Sequence, residues 1–182
     1  MTSPALHPTW PRIYLVRHGE TDWNADGRLQ GQTDRPLSDF GRRQARQLAD
    51  ELADERLEAI YSSDLARARE TAEIAGERLG LPVVLDPDLR EKDWGTWEGL
   101  TAVERDRVEF VGESTEAHQE RILEALRRIS GRHPGDGRVL VVTHGGSMRR
   151  VQTAALGMAL PVVENCGRWL CACENGVFRA VS

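Results

Sequence analysis

Two histidines and two arginines stand where a folded chain can bring them together. Arg17-His18 closes the apolar run Ile13-Tyr14-Leu15-Val16, and His144 follows Val139-Leu140-Val141-Val142 after Thr143. Arg67 comes one turn after Ser62-Ser63, which end Ala59-Ile60-Tyr61. Arginine presents a planar fork that donates paired hydrogen bonds to phosphoryl oxygens, and neutral imidazole is a competent covalent nucleophile. Nearby cations disfavour protonation of an imidazole, so such a cluster attracts a dianion while keeping its histidines neutral. The set holds no lysine and no cluster of metal-binding carboxylates, and the chemistry it suits is that of a phosphate group. A metal-dependent hydrolase with His18 and His144 as ligands is the competing chemistry, and it lacks a convincing carboxylate partner set.

Convergence requires that the three apolar runs be neighbouring strands. Continuous apolar runs of this length read as strands buried on both faces, and Val83-Val84-Leu85 is a further candidate. Between them lie helical patterns. One runs from an N-cap at Ser38 to about residue 55, with Leu48 and Leu52 on one stripe, and another spans residues 65–79, stopped by Gly80 and Pro82. A third covers residues 114–129, with Ile122, Leu123, Leu126 and Ile129 at helical spacing, and a fourth residues 147–156. Residues 86–112 read as loop followed by a short helix. Asn175-Gly176 between apolar runs signals a hairpin in the tail. Alternating strands and helices predict an α/β fold, a three-layer α/β/α sandwich with a mostly parallel central sheet, whose ligands gather beyond the carboxyl ends of the strands.

Length and charge narrow the partners. The 182 residues suit one domain, with 40% apolar and 29% charged side chains. Its 24 basic and 29 acidic residues leave a formal charge of −5, a poor footprint for nucleic acid. No stretch approaches the apolar length of a membrane span. The expectation is a soluble, cytoplasmic protein, monomer or homodimer, with a flexible N-terminal tail over residues 1–11. Lys92 is the one lysine. Cys171 and Cys173, two apart in an apolar stretch, share one face of a strand and read as core thiols. His7, His118 and His133 read as solvated, as do Arg42, Arg43 and Arg46 on the first long helix. Trp94 and Trp97 fit a pocket wall or the core equally well.

The segment Leu15-Val16-Arg17-His18-Gly19-Glu20-Thr21-Asp22-Trp23-Asn24 resembles the signature of the histidine phosphatase superfamily. The resemblance continues at Gly31, Pro36-Leu37-Ser38 and Gly41, and at Ser62-Ser63-Asp64-Leu65-Ala66-Arg67-Ala68. It reappears at Leu89-Arg90-Glu91 with Gly95 and Trp97-Glu98-Gly99, and at Thr143-His144-Gly145. These ordered blocks cover most of the chain. The resemblance implies a phosphoglycerate mutase-like fold, with residues 12–182 as one domain and a short cap at about residues 93–113. It implies that His18 is the nucleophile that becomes phosphohistidine, that Glu91 is the general acid and then base, and that Arg17, Arg67 and His144 hold the phosphoryl oxygens. Asn24, Gln30, Gly31 and Gly145 fall at substrate-binding positions. No metal or other cofactor is implied.

Each role has a rival. Asp93 and Glu98 lie close to Glu91 in sequence and Glu20 sits beside His18, so each is a rival for the acid role, and Asp64 or Glu70 could absorb Arg17 or Arg67 in ion pairs. Between phosphatase and mutase, the short stretch after Glu98-Gly99 lacks the mutases' adjacent arginine pair, and Gly146 stands where mutases usually carry asparagine. Both departures favour a metal-independent phosphatase acting on small phosphorylated metabolites. A cofactor-dependent phosphoglycerate mutase is the alternative, and a phosphate-binding module without turnover is a third reading.

Overall fold

The computed structural model describes residues 10–158 and 160–181. His7 and the tail expected at residues 1–11, apart from Trp10 and Pro11, lie outside the described residues. The elements follow the order β1 (Arg12–Arg17), α1 (Asp22–Ala25), α2 (Asp39–Glu51), β2 (Ala59–Ser62), α3 (Ala66–Leu79), β3 (Val83–Leu85), α4 (Ala102–Arg105), α5 (Thr115–Arg132), β4 (Arg138–Thr143), α6 (Gly145–Leu156), β5 (Arg168–Glu174) and β6 (Val177–Ala180). The six strands form one sheet in the order β3-β2-β4-β1-β5-β6. β1 pairs in parallel with β4, and β4 with β2, so the ends that carry Arg17-His18, Thr143-His144 and Ser62-Ser63 lie side by side. β5 and β6 form the expected hairpin, antiparallel, with β5 against β1.

Alternation along the strands builds the two cores. Ile13, Leu15, Val139 and Val141 face α5 and α6, together with Ile122, Leu126, Met148 and Cys171. Tyr14, Val16, Leu140 and Val142 face α2 and α3, with Leu48, Leu52, Ala68 and Ala72. Both faces of β1 and β4 are therefore buried, which is why their sequences read as unbroken apolar runs. Leu15 and Leu140 are 0% exposed, and truncating either to alanine would cost about 2–5 kcal/mol in lost burial and cavity. Cys171 and Cys173 are core thiols, as expected.

Several boundaries differ from expectation. The helix expected to reach residue 55 ends at Glu51, because Leu52 is its last buried contact and caps it. α5 continues to Arg132, and the four-residue α1 stands where no apolar pattern predicts a helix. Its N-cap Thr21 and Asn24 close a reciprocal capping box. Arg42 is not a solvated charge: its Nε donates to Glu70 at 2.6 Å and ties α2 to α3. His133 is likewise anchored, its ring nitrogens 3.0 Å from the Tyr61 hydroxyl and 3.0 Å from Glu58. No described helix is long and apolar enough to cross a membrane.

Candidate active site

His18 leaves the sheet on a restrained backbone. Its N–H donates to the Thr143 carbonyl at 3.0 Å, and the Cys166 N–H reaches the Arg17 carbonyl at 3.0 Å. Asn165 Nδ2 donates to the His18 carbonyl at 2.9 Å. The imidazole is buried, with Nδ1 2.7 Å from the Gly19 carbonyl. A carbonyl only accepts, so Nδ1 carries the proton and Nε2 keeps its lone pair. Burial, with Arg67 and Arg17 alongside, holds His18 well below the ordinary histidine range. The ring is neutral at pH 7 and its free nitrogen is Nε2.

Arg67, in the first turn of α3, is fully buried. Its Nη1 donates to the Thr33 carbonyl at 3.0 Å and Nη2 to the Gly31 carbonyl at 2.6 Å. Burial lowers it to about 10, so it stays cationic at neutral pH. The Gly31 turn is held from its other side by Glu98, which accepts the Gln32 and Thr33 N–H groups at 2.8 Å each, the Thr33 hydroxyl and the Trp94 N–H. Gly31 has φ 55°, and a β-carbon there would stand 1.9 Å from Glu98 Oε1. Glycine is required because the turn is left-handed and because the carboxylate fills the space.

Glu98 is thus a fastening for the loop rather than a free acid. Asp93 accepts the Gly95 N–H and Glu20 the Ser38 hydroxyl. Of these four carboxylates only Glu91 lines the cavity beside His18. Its Oε1 accepts the Lys92 N–H at 2.8 Å and its Oε2 the Gly146 N–H at 2.9 Å. Asp64 and Glu70 are occupied by Arg90 and Arg42, which leaves Arg17 and Arg67 free of them.

His144 is the N-cap residue of α6. Its Nε2 lies 2.9 Å from Ser63 Oγ, and its ring stands edge-on to His18 with centroids 5.2 Å apart. Burial and then Arg67 and His18 keep it, too, well below the ordinary range. Among the described residues five buried side-chain atoms have no hydrogen-bond partner, and four are Arg17 Nε, Gln30 Oε1, Arg67 Nε and His144 Nδ1. A buried polar atom left unpaired costs about 1–3 kcal/mol. Arg17 and Arg67 line one cavity with His18, whose ring stands against that of His144, a cationic setting suited to an oxyanion. The N-terminus of α6, which begins at Gly145, adds its dipole to the same side. The cavity measures about 320 Å³ and also takes in Asn24, Gln30, Gly31 and Gly145. Every site residue expected from the sequence is therefore brought to one place.

Sequence reasoning missed several neighbours. His118 is not solvated: it is 2% exposed, lines the cavity, and has Nε2 2.9 Å from Ser147 Oγ and 3.8 Å from Glu91 Oε1. It stands four residues before Ile122, on the stripe that Leu126 and Ile129 continue, and that spacing was the available signal. Lys92, Arg28, Arg149 and Arg150 also line the cavity, and of the two tryptophans read as pocket wall or core it is Trp94 that lines it. Arg121 is not among the lining residues, yet it holds the backbone of Glu91. Its Nη1 donates to the Asp88 and Arg90 carbonyls at 2.9 and 3.0 Å, its Nη2 to the Glu91 carbonyl at 3.1 Å, and its fork pairs with both oxygens of Glu113. Glu113 in turn accepts the Asp93 N–H. Among the described residues no group of three or more His, Cys, Asp or Glu side chains is placed to hold a metal ion.

The model of the histidine phosphatase superfamily (branch 1) matches residues 13–174, and the chain belongs to that family. It is 39% identical over 165 residues to phosphoglycerate mutase-like protein 4 of Arabidopsis thaliana, covering 80% of this chain and 71% of that protein. It is 39% identical over 158 residues to a metal-independent phosphoserine phosphatase of the same plant, covering 76% and 66%. A mycobacterial glucosyl-3-phosphoglycerate phosphatase, solved with VO3, superposes with a TM-score of 0.83 at 30% identity, covering 92% of this chain and 95% of that one.

Proposed function

We propose that this protein is a metal-independent phosphatase that hydrolyses phosphate monoesters of small metabolites through a phosphohistidine. The observation that carries the reading is a neutral His18, lone pair on Nε2, sharing one cavity with Arg17 and Arg67 and standing edge-on to the His144 ring. His18 Nε2 forms a bond to phosphorus as the ester P–O bond breaks. Glu91 gives a proton to the departing oxygen, then takes one from the water that attacks the phosphohistidine and releases inorganic phosphate. Arg17, Arg67 and His144 hold the equatorial oxygens, where the charge of a loose transition state is spread. Asn24, Gln30, Gly31 and Gly145 form the rest of the substrate cradle. Residues 93–113 act as a short cap on a single domain spanning residues 12–182, and a short cap leaves the intermediate open to water.

Phosphate release from a panel of phosphomonoesters, in chelator, by the wild type and His18→Ala tests this reading. Release that resists chelator and vanishes in the variant is expected. Interconversion of phosphoglycerates on addition of bisphosphoglycerate, without net release, would make the protein a mutase. Phosphate binding with neither reaction would make it a binding module.

A further inference from the structure

One imidazole at the cavity has no part in the phosphoryl-transfer steps. His118 lines the space beside Glu91 and is buried. It stands at the head of the α5 stripe that Ile122, Leu126 and Ile129 continue into the core. An apolar side chain there would avoid the cost of burying a polar ring, so the ring's hydrogen bonds are the place to look for its use. Burial holds His118 below the ordinary histidine range against the pull of Glu91 and Glu113, and Arg121 and Arg150 lower it further. The ring is neutral at pH 7.

His118 Nε2 lies 2.9 Å from Ser147 Oγ. The Ser147 hydroxyl gives its one hydrogen to the Arg90 carbonyl at 3.2 Å, so Oγ accepts from the ring and the proton of the neutral imidazole is on Nε2. This short chain ties together the two backbones from which Glu91 is held. Gly146, beside Ser147 in the first turn of α6, donates its N–H to Glu91 Oε2 at 2.9 Å, and Arg90 is the residue before the acid. His118 Nε2 stands 3.8 Å from Glu91 Oε1, too far for a hydrogen bond. The coupling to the acid therefore runs through Ser147.

Resting on the phosphatase reading, we propose that His118 is a positioning residue for the general acid. Through Ser147 it locks the Arg90–Glu91 backbone against the first turn of α6, and so fixes where the Glu91 carboxylate stands relative to the leaving oxygen. Phosphate binding does not depend on this lock, because Arg17 is anchored on the Val163 carbonyl and Arg67 on the carbonyls of Gly31 and Thr33.

Steady-state kinetics on His118→Phe and His118→Gln test the proposal. Glycerol 3-phosphate and 3-phosphoglycerate serve as esters with poor leaving groups, and p-nitrophenyl phosphate as one with a good leaving group. Phenylalanine fills the space and donates nothing, whereas the glutamine amide nitrogen can stand in for Nε2 as the donor to Ser147. His118→Phe should lower kcat on the alkyl esters by about tenfold or more, the size of one lost buried hydrogen bond, with KM nearly unchanged. p-Nitrophenyl phosphate should slow far less, since its leaving oxygen needs little protonation. His118→Gln should recover most of kcat. Ser147→Ala should reproduce the loss, and adding His118→Phe to it should cost little more, because the two side chains act as one unit. Should urea unfolding show that His118→Phe has lost its fold, Ser147→Ala carries the leaving-group comparison. Equal slowing of all esters, a raised KM in place of a lowered kcat, or glutamine no better than phenylalanine overturns the proposal and leaves His118 a packing residue. Wild-type release that the variants leave unchanged overturns this proposal alone, whereas no release by the wild type from any ester overturns the phosphatase reading and this proposal with it.

Discussion

The carboxylate of Glu91 rests against the α-carbon of Gly146. Oε2 accepts the Gly146 N–H at 2.9 Å, and a β-carbon on Gly146 would stand 2.3 Å from Oε1. Any side chain at residue 146 must therefore displace the acid. Gly146→Asn should lower kcat by up to about 100-fold, the lower end of what a positioned acid contributes. Poor leaving groups should suffer most, and p-nitrophenyl phosphate, whose leaving oxygen needs little protonation, should suffer least. An equal loss across leaving groups would separate Gly146 from the acid.

Glu91→Gln makes the complementary prediction. Alkyl phosphates should slow by about 10²-fold or more and activated aryl phosphates far less. A leaving-group series that shows no such slope would move the acid role elsewhere.

Arg121 holds the acid by its backbone, and its fork is already committed to Glu113 and to the carbonyls of residues 88, 90 and 91. Arg121→Met should cost about 2–3 kcal/mol of stability, since it strands Glu113 and several carbonyls. It should also lower kcat while leaving KM nearly unchanged, because the phosphate cradle is built from other elements. Lysine should rescue poorly, as it cannot reproduce the planar fork. Urea midpoints and steady-state kinetics on the two variants check both parts.

His18, His144 and His118 are all held below the ordinary histidine range by burial. Each is neutral in the folded protein and takes up a proton on unfolding once the pH falls below about 6.5. Their contribution to stability is present above that pH and is lost as the pH falls. Each adds a slope approaching about 1.4 kcal/mol per pH unit. Denaturant unfolding between pH 7 and 5 should show a steep decline, and one that is shallower in His18→Ala. A flat profile would mean the rings are protonated in the folded state.

Burial raises the thiols, Cys166 to about 12 and Cys171 and Cys173 upward as well. The thiolate is the reactive species, so a disulfide exchange reagent should label none of them in the native protein and all three after denaturation.

The strands were legible in the sequence because both faces of β1, β2 and β4 are covered, so apolar residues run on without alternation. The convergence of the candidate site was legible for a related reason: Arg17-His18, Ser62-Ser63 and His144 sit at strand ends, where position along the chain determines position in space. His118, Arg121 and Lys92 were harder. They act from a helix and a strap whose packing depends on contacts far away in sequence, such as Arg121 with Glu113 and the Asp88 carbonyl. Only His118 had a local signal, its place on the Ile122–Ile129 stripe. The four-residue α1 was hidden because its hydrogen bonds come from the Thr21–Asn24 capping box, not from an apolar pattern.

The hairpin β5–β6 has a consequence for how this protein can change. By lying against β1, it leaves the strand that carries His18 with a hydrogen-bonded neighbour on each side. His18 is thus rooted at the end of a doubly paired central strand, the kind of element whose amide hydrogens exchange last. The strap around Lys92, Trp94 and Phe110 hangs on a handful of loop bonds and belongs to the part that opens locally. The paired strand and the strap are anchored in different ways, so substitutions in the strap can accumulate while the sheet beneath His18 stays as it is.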